Sequence, residues 1–168
     1  VKFIYNPFYK VTNSIASLWF AKEYLIGDVT VLNADVVFDN NLCEQIIVKK
    51  VKNPSVLVDS SIKADGDYNV QVHGEYITVM SKALKDYYAE YAGITKLDKI
   101  SSGLLKSEID EMVIKGYYDQ WYENALVQMI FMYNFELRYF DICNYHWTEV
   151  DNVDDLLNAK RIHNTILG

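Results

Sequence analysis

Apolar residues recur at helical spacing in some stretches of this chain and gather into short β-branched runs in others, and the two kinds alternate. Ile15, Leu18, Trp19 and Leu25 share one face behind the capping types Thr12, Asn13 and Ser14, with Gly27 placed to stop the helix. Val29-Thr30-Val31-Leu32 is too short and too β-branched for a helix and reads as a buried strand. Residues 42–51 read as a short helix and 55–59 as a second strand, whereas 60–74 are polar, a loop or hairpin. Residues 75–80 are extended. Ser81 then caps a helix carrying Leu84, Tyr87, Tyr88 and Tyr91 and ending at Gly93. Leu105, Ile109, Met112 and Val113 mark another helical face, and Tyr118, Trp121, Tyr122, Ala125, Met129 and Met132 a longer one. Residues 137–142 are a strand, and a last helix covers 153–166, capped by Asn152 with Asp155 three positions on. The strand–helix–strand order predicts an α/β fold with a mainly parallel sheet and right-handed crossovers.

At 168 residues the pattern fits one domain, 1–168, long enough to bury a core. Hydrophobic residues make up 51% and charged residues 23%, so the chain is globular rather than disordered. Its apolar runs fall short of the roughly 20 residues a membrane helix needs, so no membrane partner is expected. The opening Val1-Lys2-Phe3-Ile4-Tyr5-Asn6-Pro7 reads as strand then loop, not as a secretory signal. A net charge of −7 with both signs interspersed leaves no basic face, and no nucleic-acid partner is expected. An acidic protein can still bind a nucleotide where Mg²⁺ supplies the local positive charge. Cys43 and Cys143 make no disulfide framework, and His73, His146 and His163 have no zinc-ligand spacing. A reduced, cytoplasmic setting follows as the default.

Two aspartates stand out. Asp35 ends the apolar segment that begins at Val29, and Asp151 follows His146-Trp147-Thr148-Glu149-Val150. In open α/β sheets ligands bind outside the carboxyl ends of strands. Two carboxylates brought there from distant segments suit Mg²⁺, which takes one or two carboxylates and completes its shell with water and phosphate oxygens.

The segments Asn6-Pro7-Phe8-Tyr9, Thr12-Asn13-Ser14 to Ser17-Leu18, and Asn33-Ala34-Asp35-Val36-Val37-Phe38 together resemble a known family. It is the nucleotidyltransferases that make CDP-choline and NDP-sugars, in particular the bacterial phosphocholine cytidylyltransferase branch. Trp147-Thr148-Glu149-Val150-Asp151-Asn152, continuing through Asp155-Leu156 to Ala159, is similar to that family's W-x-E-I-D-T-x-x-D-L-x-x-A. Gly74-Glu75-Tyr76-Ile77 resembles its G-E-Y-I strand, and Tyr117-Tyr118 with Ala125-Leu126 its Y-Y-x-x-A-L helix. The resemblance spans nearly the whole chain. It implies a Rossmann-like nucleotide-diphospho-sugar transferase fold, with Asp35 and Asp151 as catalytic residues holding Mg²⁺ beside a nucleoside triphosphate. The phosphate of phosphocholine or of a sugar 1-phosphate then attacks the α-phosphorus and pyrophosphate leaves. Glu75 and Tyr76, and Trp121, Tyr122 and Glu123, are the implied acceptor contacts. Aromatic faces with a carboxylate suit a quaternary ammonium.

Departures from the pattern are informative. Ala34 stands for a glycine and Asn152 for a threonine, and residues 62–74 look short for the family's hairpin, where Lys63 is a poor match for its basic residue. The family's glycine-rich G-x-G-x-R-x-x-P-x-T loop has no counterpart. The expectation is therefore an N-terminally incomplete domain lacking about 60–80 residues, roughly half an ordinary domain. Plainer readings stand beside these. Asp35 can be a turn carboxylate, Asp151 a residue beside a helix cap, Glu75 a solvated strand end, and the Tyr118–Trp121–Tyr122 stripe core packing. Three functions remain open on the sequence: a phosphocholine-type cytidylyltransferase, a sugar-1-phosphate nucleotidyltransferase, and a non-catalytic remnant serving as a binding module.

Overall fold

In the computed structural model residues 1–49, 54–62 and 68–167 are described, the last four of these by backbone alone. The element order begins with α1 (Ser14–Phe20), a 3₁₀ turn (Lys22–Tyr24), β1 (Val29–Leu32) and β2 (Val36–Phe38). It continues with α2 (Asn40–Leu42), which runs into a π turn (Cys43–Ile47), then β3 (Ser55–Asp59), β4 (Asn69–His73), β5 (Tyr76–Ser81) and β6 (Ala89–Leu97). Next come α3 (Lys99–Ile114), α4 (Glu123–Tyr133), β7 (Arg138–Asp141), β8 (Trp147–Glu149) and α5 (Val153–Leu167). No described helix is long and apolar enough to cross a membrane. The described residues form two compact units, each assembled from two stretches of chain.

One unit joins residues 30–96 to residues 137–168 and holds nearly all the strands. Its main sheet runs β1-β6-β3-β7-β5-β4, and a further β4–β6 pairing closes the last five strands into a ring. Among the pairings with a defined register only β3–β7 is parallel; β3–β6, β4–β5, β4–β6 and β5–β7 are antiparallel. This corrects the expectation of a mainly parallel sheet. The physical reason is connectivity. β4 and β5 are joined by a tight turn at Gly74, which has a left-handed φ of 60°, and a turn that short can link only antiparallel neighbours. Closure removes free edges that would otherwise template aggregation.

The largest revision concerns residues 81–93. The sequence spacing predicts a helix ending at Gly93, yet Ser81 ends β5, and β6 begins at Ala89 and passes straight through Gly93. Every residue of β6 is buried. A strand covered on both faces shows no alternation, so its aromatic and alanine positions fell into helical register by accident. A bulge interrupts β3–β6: Val56 pairs with Thr95 and Val58 with Tyr91, leaving Ala92, Gly93 and Ile94 opposite Leu57.

β2 and β8 form a separate two-stranded antiparallel ribbon, with Val36 opposite Glu149 and Phe38 opposite Trp147. The ribbon is apolar on its inner side. Val36, Phe38 and Trp147 pack on a buried cluster of Leu42, Ile47, Leu57, Ala92, Ile94 and Ile142. α2 is shorter than the expected 42–51 helix, and residues 50 and 51 lie outside the described residues. Its N-cap is Asp39, whose Oδ1 accepts from Leu42 N at 2.7 Å. At its far end Lys96, 3% exposed, donates to the carbonyls of Ile46 and Lys49, and burial pushes its ammonium below the ordinary lysine range.

The other unit, residues 1–29 with 97–136, is helical. Residues 1–6 form no strand, contrary to expectation. Asn6 is buried there as a polar hub. Its Nδ2 donates to Thr12 Oγ1 and Ser17 Oγ, each at 3.1 Å, and its Oδ1 accepts from Phe8 N at 2.9 Å. α1 is docked through Tyr122 N, which donates to Ser14 Oγ at 2.9 Å, and through Trp19 Nε1, which donates to Asp110 Oδ1 at 2.8 Å. Ile15, Ala16, Leu105, Ile109, Ala125, Leu126 and Met129 are among the buried apolar residues of this unit. α4 starts at Glu123, not near Tyr118 as the aromatic spacing suggests, and ends at Asn134 in the left-handed conformation.

Candidate functional site

The ribbon brings Asp35 and Asp151 to one place. Asp35 sits in the turn between β1 and β2, and Asp151 lies just past β8. The ribbon register continues beyond Val36–Glu149, since Val150 N donates to the Asp35 carbonyl at 3.1 Å. Two aspartates distant in sequence thus flank the same open end of a two-stranded ribbon. Both are exposed, and among the described residues neither carboxylate is engaged by another side chain.

Local chemistry sets each position. On the Asp151 side the start of α5 carries a reciprocal cap. Asn152 Oδ1 accepts from Asp154 N at 2.9 Å and Asp155 N at 3.1 Å, while Asp155 Oδ2 accepts from Asn152 N and Asp151 N, each at 3.1 Å. The cap expected at Asn152 is present, and it holds the Asp151 backbone as well. On the Asp35 side the turn hangs from β6 through Asn33 N, which donates to the Gly93 carbonyl at 2.9 Å.

Beside Asp151 opens a cleft of about 460 Å³ lined by Asp59, Ile62, Glu90, Trp147, Thr148, Glu149, Asp151, Asp155 and Asn158. Five of these are carboxylates. Asp59 and Glu90 face each other across the β3–β6 pair and are buried. Asp59 is fully engaged, its Oδ2 accepting from Trp147 Nε1 at 2.8 Å and its Oδ1 from Ser61 N and Oγ at 2.8 and 2.6 Å. The Trp147 bond ties β8 to the closed ring. Among the described residues no group of three or more His, Cys, Asp or Glu is placed to hold a metal ion by itself. Sequence reasoning passed over Asp59 and Glu90. Asp59 carries the same signal as Asp35, a carboxylate where a buried run ends, whereas Glu90 was hidden by the helical reading of residues 81–93.

Glu75 and Tyr76 come together elsewhere in the same unit, around Arg138 of β7. Arg138 forms an ion pair with Glu75, donates to Tyr76 Oη at 3.0 Å and lies 4.8 Å from the centre of the Tyr76 ring. Nearby, the Tyr88 and Tyr139 rings lie tilted to each other with centroids 5.3 Å apart, and Tyr88 donates to Asp141 at 3.3 Å. Burial, with the Tyr139 and Asp141 groups beside it, pushes the Tyr88 phenol up to about 12. Trp121, Tyr122 and Glu123 belong to the helical unit. Trp121 is 39% exposed, but Tyr122 and Glu123 are each 2% exposed. The stripe reads as core at Tyr122, as the plainer reading had it. Lys63 lies outside the described residues.

No family model matches the sequence, and none of the curated proteins matches it. Solved structures do. The chain is similar to CTP:phosphocholine cytidylyltransferase from Streptococcus pneumoniae, with a TM-score of 0.73 and 18% identity over 97% of this chain and 69% of that one. It is similar to the inositol-1-phosphate CTP transferase from T. maritima at a TM-score of 0.68 and 16% identity, over 89% of this chain and 62% of that one. A nucleoside-diphosphate-sugar pyrophosphorylase from Vibrio cholerae gives a TM-score of 0.58 at 11% identity, over 87% and 62%. The chain has the nucleotidyltransferase fold, and it spans between three fifths and seven tenths of the length of these structures.

Proposed function

We propose that this chain supplies acceptor- and metal-side groups for moving a nucleotidyl group from a nucleoside triphosphate, CTP first among them, to a small phosphorylated alcohol. An oxygen of the acceptor phosphate bonds to the α-phosphorus, the bond from that phosphorus to the bridging oxygen breaks, and pyrophosphate leaves with the electron pair. The observation that carries the reading is the meeting of Asp35 and Asp151 at one ribbon end, in a chain with this fold.

The residues suit Mg²⁺. Two exposed carboxylates with no competing side-chain partner are the donor set that this cation takes when water and phosphate oxygens supply the rest. Bound there, Mg²⁺ would neutralise charge on the phosphates and orient them. What the chain itself contributes is position: the Asp155–Asn152 cap and the Trp147–Asp59 bond hold the β8 side. The acidic cleft beside Asp151 would repel a triphosphate without a cation, which makes strict metal dependence the expected behaviour.

For the acceptor, phosphocholine is the first candidate and a sugar or cyclitol 1-phosphate the second. The second gains from one observation: Tyr122 and Glu123 are buried, so the three-residue cage that would favour a quaternary ammonium is not open to solvent. The test is pyrophosphate release by the protein with CTP, Mg²⁺ and either acceptor. Asp35→Asn and Asp151→Asn should each cut turnover on the order of 10²-fold or more, because each removes a negative ligand from a metal that stabilises transition-state charge. Unchanged turnover in either variant would refute the metal assignment.

A further inference from the structure

We infer that Gly93 is a positioning residue for Asp35, a role that rests on the metal reading above and lies outside the motifs that suggested it. Gly93 stands in the bulge of β6 at a φ of 68°, a left-handed conformation that side chains disfavour. Its carbonyl accepts from Asn33 N at 2.9 Å, so the start of the turn bearing Ala34 and Asp35 is tied to this backbone position, as its end is tied to Val150 N. The approach is close enough to exclude a side chain. A β-carbon on Gly93 would lie 2.6 Å from Val36 Cγ2, 3.1 Å from Asn33 Cβ and 3.2 Å from Asn33 Nδ2.

These neighbours bracket Asp35 on both sides, and neither can step aside freely. Val36 is β-branched, has one strongly preferred rotamer in most settings, and is packed against the Leu57–Ala92–Ile94 cluster. The Asn33 contact is to its β-carbon, which moves only with the backbone. A methyl group at Gly93 therefore pushes the turn itself, and with it Asp35. Asp151 is anchored by the α5 cap as well as by the ribbon, where Val150 N bonds the Asp35 carbonyl, so a displaced turn strains that bond and changes the spacing between the two carboxylates. The bare backbone at Gly93 is a notch that sets that spacing.

The experiment compares the wild-type protein with Gly93→Ala, Val36→Ala and the double variant. Amide chemical shifts report where the turn sits, and broadening by Mn²⁺ in the presence of CTP reports the metal. In Gly93→Ala the Ala34, Asp35 and Val36 amides should move while those of α5 do not, and half-broadening should need on the order of tenfold more Mn²⁺. Removing the Val36 γ-carbons in the double variant relieves the 2.6 Å contact but neither the left-handed φ nor the Asn33 contacts, so it should restore part of the lost affinity, which simple loss of folding would not allow. Should Gly93→Ala fail to fold, the double variant and Val36→Ala still decide the matter, because relief of the closest contact predicts partial recovery of both fold and affinity. Unmoved turn amides with unchanged Mn²⁺ affinity, or no recovery in the double variant, overturn the positioning role while leaving the metal site standing. If Mn²⁺ broadens neither Asp35 nor Asp151 in the wild type, the metal reading falls, and the inference with it.

Discussion

The β2–β8 ribbon and the start of α4 each carry a carboxylate beside aromatic residues in a segment that resembles the same family, and the fold treats them in opposite ways. Asp35 and Asp151 stand exposed at the end of a ribbon whose inner face is apolar. Tyr122 and Glu123 are sealed at 2% exposure, with Tyr122 N bonded to Ser14 Oγ. A motif match says which residues to look at, but accessibility decides whether a ligand can reach them. The ribbon's architecture leaves its carboxylates exposed. The helical unit encloses Tyr122 and Glu123 and bonds the Tyr122 backbone to α1.

The sharpest way to break this comparison is Tyr122→Ala. Truncating a fully buried aromatic should cost about 3–5 kcal/mol in urea unfolding, whereas Trp121→Leu, at a partly exposed ring, should cost about 1 kcal/mol or less. A Tyr122 variant that kept its stability and lost only acceptor affinity would turn the stripe back into a binding surface. Next in size are Asp35→Asn and Asp151→Asn, which should leave stability within about 0.5 kcal/mol while turnover collapses. If either unfolds the protein, the ribbon end is structural and the contrast disappears.

A smaller effect sharpens it. Asp155→Ala removes a cap that serves Asn152 N and Asp151 N together. It should cost about 1 kcal/mol and also weaken Mn²⁺ binding several-fold, whereas loss of an ordinary cap would change stability alone. Smallest is a pH effect in the helical unit. Burial would raise the Asp98 carboxyl, but hydrogen bonds from Ser101 N, Ser101 Oγ and Ile100 N outweigh it and hold the group below the usual carboxylate range. A depressed native value adds stability that is present above about pH 4 and is lost as pH falls through that lower value. Asp98→Asn, which keeps a capping side chain, should flatten the acid limb of the stability–pH curve and leave turnover at neutral pH unchanged.

Much of the local structure was legible in the residues. The capping cluster at Asn13 and the cap at Asn152 depend on side chains reaching nearby backbone N–H groups. So does the sequence of β1, β3, β5 and β7, since short β-branched or aromatic runs between polar breaks have few other uses. The sequence alone also determined which aspartates deserved attention, because a carboxylate ending an apolar run is a local pattern. Long-range pairing was beyond it. Whether β3 lies parallel to β7 or antiparallel to β6 depends on partners some thirty to eighty residues away. The strand identity of β6 was hidden because burial on both faces erases periodicity. Only the tertiary structure placed Asp35 and Asp151 on one ribbon end, enclosed Tyr122 and Glu123, and pressed Gly93 against Val36 and Asn33. Each of these is a contact between segments that meet only after the core has formed, and no local propensity encodes such a meeting.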